Sequence, residues 1–222
     1  MHALAPRLSR ETVIMTTKSM VEHLLIDRYG DFQLTDGIRP SAERSVIPRE
    51  GFRVETYRDP KAGFQVPVMA ASISREKLFD VFLDLLDPLG DVVDVILETS
   101  HETDGSKHID LFREAIDLPI LKSHCCDFED LLLNDGCTGL AIMSTAGPME
   151  VQFDEHKLLV VYTADIRPFA QILREHGIVR DDALKLMTEG EHLHSTDPRH
   201  RNHFEQFCYR LGVGEAVERV SW

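Results

Sequence analysis

Gly139-Leu-Ala-Ile-Met143, Met149-Glu-Val-Gln-Phe153 and Leu158-Leu-Val-Val-Tyr162 are short apolar runs parted by Ala146-Gly-Pro148 and Asp154-Glu-His156. Runs of this length are strands, and connections this short and rich in Gly, Pro and Asp are turns between antiparallel neighbours. The stretch therefore reads as a meander, and it decides the fold class.

Upstream, Phe52-Arg-Val54-Glu-Thr-Tyr57 and Phe64-Gln-Val66-Pro-Val68-Met-Ala70 alternate around Asp59-Pro-Lys-Ala-Gly63, as a hairpin does. Pro67 places the second run at an edge or a bulge. A helix follows, with Ser74 as its N-cap and Leu78, Val81, Phe82, Leu85 and Leu89 on one face. Asp80, Asp84 and Asp87 lie opposite and read as its wet side. Val92 to Leu97 is a nearly continuous apolar run, as in an interior strand. Helices are expected near 106–116 and 119–134, with Leu121, Cys125 and Phe128 on the stripe of the second. Another is expected from Asp165 to Gly177. The prediction is an α+β fold: a mixed, largely antiparallel sheet of about five or six strands, helices packed on it, and a C-terminal helical tail. Residues 1–51 are expected to hold a helix over 18–29 and an irregular connection. Residues 52–178 make the core, and 179–222 a tail packed on it, all within one domain.

The chain has 222 residues, 24 Lys and Arg against 38 Asp and Glu, and a net charge of −14. That balance argues against nucleic acid and against an anionic membrane surface. No apolar stretch approaches a bilayer span. Pro6, Arg7 and Arg10 interrupt what would be a secretory core, and the four cysteines form no C-x-x-C pair, so a reducing, cytoplasmic setting is expected. Gly-rich phosphate loops of the dinucleotide and P-loop kinds are absent.

Chemistry gathers near the C-terminus. His192, His194, His200 and His203 fall within Glu191-His-Leu-His-Ser-Thr-Asp-Pro-Arg-His-Arg-Asn-His-Phe-Glu205. His192 and His194 share a side if their segment is extended, whereas His200 and His203 sit on a helix begun by Asp197-Pro198 and ended by Gly212. Together they are candidate ligands for zinc or another first-row metal. The metallo-β-lactamase pattern is not met, since Thr196 and Asp197 stand where Asp and His would be needed. Nor is the cupin pattern, with Pro198 and Arg199 where a glutamate is required. Arg199 and Arg201, in the first turn of that helix, are candidate anion ligands. Glu98 and His101, at the exit of the strand 92–97, are a candidate acid/base pair. Two readings follow. One is a binding or interaction module that meets a protein partner or its own copy. The other is a metal-dependent hydrolase using the histidine cluster.

Overall fold

The computed structural model describes residues 24–41, 46–58, 63, 65–101 and 109–215. Its frame is one antiparallel sheet. In chain order the strands are β4 (Gly51–Arg58), β5 (Gln65–Ser72), β6 (Val92–Thr99), β7 (Ile109–Asp117), β8 (Thr138–Ser144), β9 (Met149–Phe153), β10 (Leu158–Thr163) and the two-residue β12 (Gly214–Glu215). They lie in the order β12-β7-β6-β8-β9-β10-β5-β4, and every neighbouring pair is antiparallel. The meander 139–162 and the hairpin 51–72 form as their alternation predicts.

Helices cover one face. They are α1 (Arg75–Leu85), α2 (Leu118–Asp127), α3 (Glu129–Asn134), α4 (Arg167–Glu175) and α5 (Pro198–Leu211). Val93, Val95 and Leu97 of β6, Leu140 and Ile142 of β8, and Val151 and Phe153 of β9 alternate inward. They meet Leu78, Val81, Phe82 and Leu85 of α1, Phe169 and Leu173 of α4, and Phe204, Phe207 and Leu211 of α5 in a single core. Phe82 and Phe153 touch edge to face, ring centres 5.0 Å apart. Each such side chain, fully buried, contributes about 1.5–3 kcal/mol. Asp197 caps α5 by accepting from the Arg199 N–H at 2.9 Å, and Gly212 ends it in the left-handed conformation. Among the described residues no helix is long and apolar enough to cross a membrane.

The structure departs from the sequence reading in four places. The helix expected near 106–116 is strand β7 over 109–117, which makes the sheet wider than five or six strands. A bulge misleads the eye there: the β6–β7 register shifts between Val93 and Val95, and Ala115 takes φ +50°. The extra residue breaks the period-two alternation and leaves Leu111, Phe112, Ala115 and Ile116 at helix-like spacing. Second, the expected helix 119–134 breaks at Phe128 into α2 and α3. Third, the helix expected over 18–29 lies largely outside the described residues, and its end, Arg28–Tyr29, is strand β1, paired with β2 (Phe32–Gln33). Fourth, β3 (Ile38–Pro40) in the expected irregular connection pairs antiparallel with β11 (His192–His194) in the expected helical tail.

Candidate functional site

Antiparallel pairing collects the chemistry at one end of the sheet. Thr99, at the end of β6, faces Thr138 at the start of β8, and Phe153, at the end of β9, faces Leu140. The exit of β6, the loop from α3 to β8 and the β9–β10 turn therefore lie side by side. The β3–β11 ribbon, extended by the Ser195 N–H donating to the Gly37 carbonyl at 2.9 Å, is tied to them by the Gly136 N–H donating to the Ser195 carbonyl at 2.8 Å and by the His194 ring on the Gly136 carbonyl. Contact is so close that a Cβ on Gly136 would fall 2.2 Å from the Gly37 oxygen. Only glycine permits that approach.

The ribbon delivers His192 and His194 on one side, with Leu193 half-exposed on the other, as strand alternation requires. A third histidine, His156, meets them from the β9–β10 turn. Ring centres are separated by 4.9 Å (156–192), 4.8 Å (156–194) and 5.2 Å (192–194), close to an equilateral triangle. One donor nitrogen from each lies within 4.8 Å of the others. Each Nδ1 is engaged by an oxygen acceptor. His156 bonds Asp154 Oδ1 at 2.6 Å, His192 the Gly190 carbonyl at 2.8 Å, and His194 the Gly136 carbonyl at 2.6 Å. Such partners fix the tautomer with the proton on Nδ1 and leave Nε2 its lone pair. Burial disfavours charge on His156, but Asp154 outweighs it and raises the ring above its ordinary value. His194 moves the opposite way, lowered by partial desolvation of its ring and by the two neighbouring rings.

Next to His156, Lys157 is buried in the left-handed conformation at φ +61°, its ammonium donating to the Thr138 carbonyl at 3.1 Å. Burial brings this lysine down to about 8, against the pull of Asp135, Asp154 and Glu155.

The four histidines of the C-terminal cluster divide. His200 and His203 belong to neither group of clustered metal donors among the described residues. His200 is buried on α5, where Nδ1 accepts the Asp197 N–H at 3.3 Å and Nε2 lies 3.5 Å from Asp130. His203 borders an open groove beside α2, α3 and α5, with Asp127, Phe128 and Tyr209. His156 went unread in the sequence, because a single histidine in a polar turn carries no spacing signal. The Glu98 carboxylate lies over Gly139, and the His101 ring turns to Asp135 at 2.8 Å and packs on Phe204. Arg199 faces Asp130 and Asp197, and Arg201 faces Glu205, so acidic partners stand beside both candidate anion ligands.

Fold and site together define an α+β protein with a three-imidazole constellation at one end of an antiparallel sheet. No protein-family model, no curated protein and no solved structure matches this chain.

Proposed function

We propose that this protein binds a divalent first-row metal, zinc above all, through Nε2 of His156, His192 and His194, and acts as a metal-dependent hydrolase. The observation that carries the reading is the oxygen partner at every Nδ1 of three clustered rings, which leaves each Nε2 lone pair for a metal. Three protein ligands leave a fourth position open, the arrangement of catalytic rather than structural zinc. There the ion would act as a Lewis acid and make a water nucleophilic at neutral pH. His194 is exposed and His156 and His192 half-buried, which gives a substrate access. Asp154 orients His156, and Gly136 and Gly190 orient the other two through their carbonyls. Glu155, the residue before His156, acts electrostatically on both His156 and His194 and would serve as the base.

Elemental analysis of untagged protein, beside His192→Ala/His194→Ala and His156→Ala, tests this. Zinc, iron or nickel in the wild type that exceeds either variant by one equivalent supports the metal centre and opens a hydrolase screen, and equal metal in all three proteins overturns it. Metal-free protein that also takes up no added zinc overturns it and leaves the interaction module as the reading to pursue.

A further inference from the structure

The residues that flank Gly136 in the chain belong to a second group of donors. His101 at the exit of β6, and Asp135 and Cys137 in the loop from α3 to β8, bring a ring nitrogen, a carboxylate oxygen and a thiol sulfur within 4.8 Å of one another. The group is enclosed. Asp135 has no exposed surface, the His101 side chain is 6% exposed, and Cys137 is partly buried. Phe204 holds the His101 ring, with centres 5.7 Å apart.

Its hydrogen bonding is complete on one side only. Asp135 Oδ2 accepts from the Thr138 hydroxyl at 2.5 Å and lies 2.8 Å from His101 Nε2. Oδ1, equally buried, has no hydrogen-bond partner. His200 Nδ1 lies 3.8 Å from it but accepts the Asp197 N–H, so it presents a lone pair rather than a proton. The Thr196 hydroxyl, beside the same carboxyl, reaches the Asp197 carbonyl at 3.5 Å. A buried carboxylate oxygen without a donor is destabilising, and a coordinated cation removes that penalty.

The donor set decides which cation. Imidazole, carboxylate and thiol together suit zinc and its cobalt substitute, whereas calcium and magnesium take oxygen ligands. We propose that His101, Asp135 and Cys137 form a second, thiolate-containing site for a zinc-class ion, separate from the three histidines. Loading exchanges the His101–Asp135 hydrogen bond for bonds from each residue to the ion. The imidazole proton settles on Nδ1, the thiol proton leaves to solvent, and no electrons are transferred. The site uses none of the triangle's ligands and does not rest on the hydrolase reading.

The test is cobalt titration of the full chain in a Cys126→Ser background, which removes the exposed thiol. The three histidines have no sulfur, so a thiolate-to-cobalt charge-transfer band reports the second site alone. It is expected to saturate at one equivalent, to persist in His192→Ala/His194→Ala, and to vanish in Cys137→Ser. Absence of the band at saturating cobalt, or its survival in Cys137→Ser, overturns the proposal. Should Cys137→Ser fail to fold, X-ray absorption of the zinc-loaded double histidine variant decides. A sulfur scatterer at about 2.3 Å supports the site, and a shell of nitrogen and oxygen alone overturns it.

Discussion

Asp154 shows how one side chain does two jobs. Its Oδ1 accepts the His156 N–H of the backbone at 2.5 Å and holds the same residue's ring nitrogen at 2.6 Å. The first bond shapes the β9–β10 turn, and the second fixes the ring beside the other two imidazoles and leaves Nε2 its lone pair. A carboxylate that orients a ligating imidazole typically accounts for 10–100-fold in metal affinity. Asp154→Asn is therefore expected to weaken zinc binding by about that factor with little change in melting temperature. Competition with a chromophoric chelator reads the affinity. An unchanged dissociation constant would show that Asp154 serves only the turn.

At the scale of elements, what matters is how the β3–β11 ribbon reaches the sheet. The ribbon's own pairing is three residues long, and the expected connection over 31–51 contributes one of its strands. A ribbon so short has little stability by itself. Its anchor is the junction of Gly37, Gly136 and Ser195, where two backbone hydrogen bonds form because no Cβ intervenes. Gly136→Ala puts a methyl group against backbone that cannot yield cheaply, at a cost of about 1–3 kcal/mol. The expected result is a fall in melting temperature with the far-ultraviolet spectrum of the sheet retained, and loss of zinc uptake as His194 loses the Gly136 carbonyl. Full zinc uptake by this variant would mean that the ribbon docks without the glycine junction.

Across the whole molecule, the buried carboxyl of Asp135 links stability to pH. Burial works to raise it, but hydrogen bonds from His101 and Thr138 prevail and hold it at about 2, below its usual 3.8. Between those values the unfolded chain binds the proton and the native chain does not. Stability from this group is complete above about pH 4 and is lost as pH falls through about 2, a contribution of about 2 kcal/mol. Chemical denaturation from pH 7 to 2 should show that loss in the wild type. In Asp135→Asn the acid limb should flatten on a chain already less stable at pH 7. An equally steep limb in the variant would place the linkage elsewhere.

How much of this was legible beforehand depended on the range of the signal. The helix 75–85 and the helix begun by Asp197 were readable because capping and apolar spacing act within a few residues. The bulge at Ala115 was not, since it is defined against the neighbouring strand. His192 and His194 were marked by their own spacing, and so was their placement on one side of an extended segment. The third corner of the triangle was unreadable, because His156 lies 36 residues before His192 and meets it only where a turn and a ribbon converge. His200 and His203 were grouped with them by proximity along the chain, yet the helix that carries them turns one to Asp135 and the other to a groove.

The sequence alone determined the α+β class, the meander, the hairpin and the faces of the main helices, because alternation and capping are local free-energy preferences that each segment expresses by itself. Only the tertiary structure decided which donors share a point. That outcome depends on strand order and on a glycine-to-glycine contact between segments some hundred residues apart, and no local preference encodes either.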